Sequence, residues 1–316
     1  MARVLPVKSQ HGCNLHRGDR LYRSLAVPLD GTQEAESAVA WGESIASRAD
    51  ASLHVLLMAR EGASVTHGEQ LRAATVPSGY VEAVTARVGV RSGVRVHGAV
   101  LRGDAGVEQA LRQLQRYVRD HRLDLLVATR GAGGCGGEPM TRLCEQVPIP
   151  VLVVPAGSLD AARLRNMLVV LDGTKPAERI IPFVAALAEL FDGRVTLLTV
   201  LAPSYVIGAS GRGAAVDAAV EPKRHAARGY LDGVARRLRR QGCTAESRVL
   251  VRARQAQAIV DCAVSEGVGL LAVASACDER AVLVPEVLHL LESVPVAMLT
   301  YCPPGSRVSP RRPEEA

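Results

Sequence analysis

Aromatic side chains are almost missing: one Trp, two Phe and six Tyr make up 3% of 316 residues. With apolar residues at 48%, Val, Leu and Ala must fill the interior, which suits a parallel sheet covered by small-residue helices. No apolar run approaches the roughly 18 uncharged residues of a membrane-spanning helix, and residues 1–20 hold no uninterrupted apolar core of signal-peptide type. The expectation is a cytoplasmic protein with no membrane partner. The seven cysteines (Cys13, Cys135, Cys144, Cys243, Cys262, Cys277 and Cys302) are odd in number and scattered, and none forms a Cys-x-x-Cys pair. That argues against a disulfide framework and a structural zinc site. Also missing are the Gly-x-Ser-x-Gly elbow, the Gly-x-x-x-x-Gly-Lys-Ser/Thr loop and the His-Glu-x-x-His helix. No catalytic residue is expected, and no metal site.

What is present begins with charge. A formal net charge of +6 raises the question of nucleic acid, but the arginines are spread through helices and tails rather than gathered beside aromatics. Nucleic acid is therefore not the expected partner. The densest cluster, Arg236, Arg237, Arg239 and Arg240, alternates with Leu231, Val234 and Leu238 and reads as the solvated face of a helix. Of the eight histidines, His11 and His16 flank Cys13 in the first 20 residues, a weak metal signal outside any core.

The chain repeats itself. Val27-Pro28-Leu29-Asp30-Gly31-Thr32 returns 142 residues later as Val169-Val170-Leu171-Asp172-Gly173-Thr174, and Ala35-Glu36 returns as Ala177-Glu178. Leu123 to Ala128 returns as Val268 to Val273, and Pro150-Val151 as Pro295-Val296, both 145 residues on. A period this long means duplicated domains rather than stacked repeats, in keeping with a length about twice the roughly 150 residues of one domain.

Within each copy, short β-branched or leucine-rich runs alternate with helical patterns, the signature of β-α-β units and a parallel sheet. In the first copy the runs predict strands at Ser24 to Pro28, Ser52 to Met58, Arg95 to Leu101, Leu123 to Ala128 and Val151 to Val154. Helices are predicted at Glu34 to Arg48, Glu69 to Val88 with a break at Pro77, Ala105 to Asp120 and Met140 to Gln146. The second copy predicts strands at Asn166 to Val170, Arg194 to Leu201, Thr244 to Val251, Leu270 to Ala274 and Val296 to Tyr301. Right-handed crossovers then require helices on both faces, so the fold class is α/β, two tandem doubly wound domains of five parallel strands. The expected division is an extension at 1–20, a first domain at 21–155, a linker at 156–164, a second domain at 165–302 and a proline-rich disordered tail at 303–316.

Ligands of such sheets bind outside the carboxyl ends of the strands. That places Asp30 and Asp172 at two mouths, where each could equally accept backbone N–H groups as a turn or helix cap. The run Gly131-Ala132-Gly133-Gly134-Cys135-Gly136-Gly137 follows the fourth strand and leads into a helix, so its N–H groups could surround a phosphate, with Arg130 adding a charged fork. A flexible glycine linker is the alternative. Cys135 at that helix start is a candidate for a lowered thiol pKa. The loop Gly208 to Gly213 follows a second strand and reads as mobile.

The opening Val-Pro-Leu-Asp-Gly-Thr, the run Leu125-Leu126-Val127-Ala128-Thr129-Arg130-Gly131 and the closing Val147-Pro148-Ile149-Pro150-Val151-Leu152-Val153-Val154-Pro155 resemble universal stress protein signatures, over residues 21–155 and more weakly over 165–302. The resemblance implies a stress-response regulatory protein, with ATP or another adenine nucleotide, and Mg, held in the first domain and at most slow ATP hydrolysis. The implied nucleotide-binding set is Asp30, Val55, Val127, Arg130, Gly131, Gly134 and Gly137. The family's Gly-x-x-Gly, nine residues, Gly-Ser pattern is only partly matched. Its leading Gly falls on Ala128, and the count from Gly131 lands on Thr141-Arg142, with Gly137-Glu138 the nearer pair and a carboxylate replacing a hydroxyl. In the second copy Ser275-Ala276-Cys277-Asp278-Glu279-Arg280 has no glycine, so that site is expected to be degenerate. The alternative is a member that binds no nucleotide and acts on a protein partner. The resemblance further implies antiparallel pairing of the last strands of the two domains, an internal pseudo-dimer, and association into a homodimer.

Overall fold

The computed structural model describes residues 21–60, 77–103, 107–131, 138–203, 214–274 and 284–302. The sequence-based expectations for residues 1–20, Gly134, Cys135, Gly137, the Gly208 to Gly213 loop and the tail lie outside them.

Ten strands form one sheet. In chain order they are β1 (Ser24–Leu29), β2 (Ser52–Arg60), β3 (Val96–Gly103), β4 (Leu125–Arg130), β5 (Val151–Pro155), β6 (Asn166–Val170), β7 (Arg194–Leu201), β8 (Thr244–Val251), β9 (Leu270–Ala274) and β10 (Ala297–Tyr301). Their spatial order is β3-β2-β1-β4-β5-β10-β9-β6-β7-β8. Every pairing within a half is parallel, and β5 with β10 is antiparallel. Val153 faces Met298, its own counterpart at the 145-residue shift. A pseudo-twofold axis therefore runs through that pair, and each half closes the other's open sheet edge.

The helices are α1 (Ser37–Ala49), α2 (Pro77–Ser92), α3 (Val107–Asp120), α4 (Glu138–Gln146), α5 (Lys175–Glu178), α6 (Ile181–Phe191), α7 (Ala214–Arg240), α8 (Gln255–Ser265) and α9 (Val284–Ser293). Alternation along the strands sends side chains to two faces. Leu25, Val27 and Leu29 join a core cluster that includes Trp41, Tyr80 and Phe191, while Ala26 joins a second one with Leu114, Leu143 and Ile259. Both clusters run across the β5–β10 seam, so the two halves share continuous layers.

The segment between the halves is packed rather than loose. Ala161–Arg165 forms a 3₁₀ turn with Ala161 and Leu164 buried, Asp160 caps it by accepting from the Ala162 N–H at 3.0 Å, and Trp41 donates Nε1–H to the Ser158 carbonyl at 2.8 Å. Further stitches between the halves are the Tyr22 hydroxyl, donating to the Phe183 carbonyl at 2.9 Å, and the Arg48 guanidinium, 4.7 Å from the centre of the Phe191 ring. Arginine cluster and helix agree with expectation on α7: Leu231, Val234 and Leu238 are buried and Arg236, Arg237, Arg239 and Arg240 exposed.

Candidate functional site

In each half the strand order reverses between β1 and β4, or between β6 and β9, the place where doubly wound sheets bind ligands. At the first of these points the chain turns at Asp30-Gly31-Thr32. Asp30 Oδ1 accepts from the Thr32 N–H at 2.9 Å and from the Thr32 hydroxyl at 2.7 Å, and Thr32 Oγ1 accepts from the Ala35 N–H at 3.3 Å. Gly31 takes φ 88°, which a side chain would disfavour. Asp30 Oδ2 is buried and has no hydrogen-bond partner among the described residues. A carboxylate oxygen in that condition is an acceptor awaiting a donor or a cation.

The second half repeats the turn. Asp172 Oδ1 accepts from the Thr174 N–H at 2.8 Å, Thr174 Oγ1 accepts from the Ala177 N–H at 3.3 Å, and Gly173 has φ 89°. Asp172 is exposed, so its carboxylate is in water where that of Asp30 is half-buried.

Beside each aspartate stands a polar triad that the sequence reading did not find. Glu36 accepts from the Tyr80 hydroxyl at 3.0 Å and pairs with Arg87. Its repeat, Glu178, pairs with Arg237 and lies 3.7 Å from Lys175 Nζ. Tyr230 stands beside Glu178 with its hydroxyl buried and outside hydrogen-bonding geometry. Burial, then the charge of Glu36 and the hydrogen bond to it, push the Tyr80 phenol upward, with Asp30 adding to the effect; burial and Glu178 act likewise on Tyr230, with a contribution from Asp172. The signal was available: Tyr80 and Arg87 recur as Tyr230 and Arg237 at a shift of 150, with Val81, Val84 and Val88 recurring as Leu231, Val234 and Leu238. An open groove of about 570 Å³ adjoins the first triad, lined by Glu36, Ser37, Arg87, Arg91, Gly157 and Leu159 among others.

From β4, Thr129 crosses to the start of α1, where its hydroxyl donates to the Ala35 carbonyl and accepts from the Ala38 N–H, both at 3.1 Å. Gly131 has φ 79° and open space where a Cβ would stand. Arg130 turns elsewhere: its guanidinium donates to the carbonyls of Val294 and, at 3.3 Å, Val296, so it ties β4 to the loop before β10. Its Nε is buried without a partner. Val55 and Val127 have no exposed surface and belong to the core cluster, so their side chains support the strands instead of lining the mouth. Of the sequence-derived set, Asp30 and Gly131 follow the carboxyl ends of the neighbouring strands β1 and β4, while Gly134 and Gly137 lie outside the described residues.

At the opposite, amino end of the sheet, three histidines distant in sequence come together. His54 on β2 pairs in register with His97 on β3, ring centres 4.8 Å apart, and His121 lies 5.5 Å away. Tyr117 stacks on His121 at 3.8 Å and its hydroxyl is 3.0 Å from His54 Nδ1. Among the described residues no group of three His, Cys, Asp or Glu side chains has metal-holding geometry, and Cys144, Cys243, Cys262 and Cys302 form no disulfide. No helix among them is long and apolar enough to cross a membrane.

Comparison with known proteins agrees with this architecture. The model of the Universal stress protein family matches residues 163–278. A universal stress protein from Archaeoglobus fulgidus DSM 4304 superposes with a TM-score of 0.59 at 10% identity, over 90% of this chain and 98% of the other. A protein described as functionally unknown from Pseudomonas aeruginosa PAO1 superposes with a TM-score of 0.63 at 13% identity, over 89% and 93%. At such identities the likeness speaks for the fold alone, and no curated protein matches the sequence. Over residues 163–278, in the second half of a fold built twice along one sheet, the chain is similar to the universal stress protein family.

Proposed function

We propose that the chain is a cytoplasmic stress-response regulator that binds an adenine nucleotide at the mouth between β1 and β4, and that it is not a conventional enzyme. The observation that carries this reading is Asp30 Oδ2, a buried acceptor without a partner among the described residues at the carboxyl ends of the strands, where ligands of doubly wound sheets bind. A ribose hydroxyl, an amino group or a bound Mg would satisfy it. Gly131, with a positive φ and nothing within 4 Å of a Cβ position, lets a phosphate approach the backbone. Asp30 and Gly131 would hold the nucleotide, with phosphate contacts continuing toward Gly134 and Gly137.

Arg130 favours a second reading. Its guanidinium is engaged with Val294 and Val296, so the mouth lacks the charged fork that triphosphate recognition would use. In this reading the protein binds no nucleotide and acts as an interaction module on a protein partner.

Calorimetric titration of the full chain with ATP and magnesium separates the two. Saturable binding at about one site per chain, lost in Asp30→Ala, supports the nucleotide reading. No heat of binding, and no nucleotide carried through purification, would overturn it in favour of the interaction module.

A further inference from the structure

The strand-helix pair β3–α3 and its repeat β8–α8 keep one shift of 148 residues, under which Gln109-Ala110-Leu111 returns as Gln257-Ala258-Ile259. Across that register the charge inverts. In the sequence of the first copy Asp104 comes three residues before the helix, and Glu108 lies in its first turn, as a helix amino terminus favours. The second copy has Arg252 where Asp104 stands, Arg254 where Gly106 stands and Ala256 where Glu108 stands. Arg254 is the residue before α8 and its side chain makes no cap. Arginines there oppose the helix dipole and leave its first N–H groups uncapped, which helix stability alone would not select.

These residues edge a cleft of about 370 Å³ between β8, the last strand of the sheet, and α8. Arg248, Leu250 and Arg252 line its strand side, and Arg254, Gln257 and Asp261 line its helix side. Arg248 pairs with Glu266, and the one lining carboxylate, Asp261, already accepts from Gln257 Nε2 at 2.8 Å. Arg252 and Arg254 are exposed and neither forms an ion pair among the described residues, although Arg252 Nη1 donates to the Val251 carbonyl at 2.8 Å.

We propose that the cleft between β8 and α8 binds a phosphate-bearing small anion, held by the guanidinium groups of Arg252 and Arg254. It is separate from the mouth between β1 and β4, being at the far edge of the other half. Guanidinium forks match phosphate oxygens in pairs, which sets such a site apart from a merely basic surface.

Inorganic pyrophosphate is the probe, titrated into the full chain in about 150 mM NaCl, where exposed charges are screened beyond a Debye length. Amide NMR shifts at Arg252, Arg254 and Gln257 should saturate, with Kd at least ~10-fold weaker in the double variant Arg252→Ala, Arg254→Ala. Arg254→Asp should weaken binding similarly while raising Tm, because it supplies the missing cap, so weakened binding cannot be assigned to unfolding. Asp30→Ala should bind pyrophosphate as the parent does, whatever its effect on nucleotide. Shifts that never saturate, that persist in the double variant, or that sodium sulfate reproduces at equal ionic strength would overturn the proposal.

Discussion

Acidification should destabilise the chain through His54. Its side chain is 6% exposed on β2, facing His97 and His121, and its pKa falls from 6.5 to about 4, first because burial penalises the cation and then because the two neighbouring imidazoles repel it. His54 Nδ1 lies 3.0 Å from the Tyr117 hydroxyl, which can donate to a neutral imidazole nitrogen or accept from a protonated one, so this contact does not itself oppose protonation. The unfolded chain takes up the proton near pH 6.5 and the folded chain only near pH 4, so the unfolded state binds more protons in between. Stability is fully present above pH 6.5 and is lost as the pH falls toward about 4. At ~1.36 kcal/mol per pH unit the gap has a ceiling of about 3 kcal/mol. Since His97 and His121 are exposed and their charges screened, about 1.5 kcal/mol is the working expectation. Urea denaturation at half-unit steps from pH 7.5 to 4 reads it as a falling midpoint at constant slope. In His54→Asn the decline between pH 6.5 and 4 should be shallower by that amount. Equal pH dependence in parent and variant would refute the reasoning.

Two further substitutions test the packing that positions the site. In Gly269→Ala the new Cβ would overlap the Arg163 carbonyl in the segment between the halves; backbone cannot yield as a flexible side chain does, and a loss of more than about 3 kcal/mol is expected from thermal unfolding. Arg130→Met removes two hydrogen bonds to the loop before β10 but also a buried Nε without a partner. The net cost should be about 1 kcal/mol, with ATP affinity unchanged if the guanidinium serves the seam and reduced about 10-fold if it serves a phosphate.

The strands were legible because their patterns are long and their surroundings uniform. In the second copy β6, β7, β8 and β9 begin and end where the apolar runs do, and the antiparallel β5–β10 seam expected from the family resemblance is present. In the first copy strands continue one or two residues beyond the runs, through Leu29, Arg60, Gly103 and Arg130, and β3 and β4 begin one and two residues later than expected, at Val96 and Leu125. Helix α1 starts at Ser37 rather than Glu34 because the carbonyls of residues 33–36 are used in i to i+3 hydrogen bonds, a tighter turn that leads into the helix. The aspartates were found because they sit in the conserved register of the repeat. The Glu–Tyr–Arg triads were missed because the shift moves from 142 to 150 between their members. The histidines were missed because β2, β3 and α3 meet only through the crossovers; no local spacing records that His54 lies opposite His97.

Where the copies differ, the connection between them gives a physical reason. In the first copy Asp124 precedes β4, and its Oδ2 accepts from the N–H groups of Arg23 and Ser24, at 2.8 and 3.0 Å, fixing the chain as it enters β1. The counterpart at the 145-residue shift is Gly269, before β9. The backbone bond is kept: Asp124 N–H donates to the Ser24 carbonyl at 2.8 Å, and Gly269 N–H to the Asn166 carbonyl at 2.9 Å. Only the side chain is gone, because the 3₁₀ turn at Ala161–Arg165 brings the Arg163 carbonyl where a Cβ would stand. The connection therefore leaves no room for a carboxylate at the amino end of the second sheet half. The inversion from Asp104 and Glu108 to Arg252 and Ala256 has no such neighbour to explain it: it lies at the outer edge, far from the connection, and helix stability argues against it. A change forced by packing and a change opposed by stability call for different causes, and the second is the one that points to a ligand.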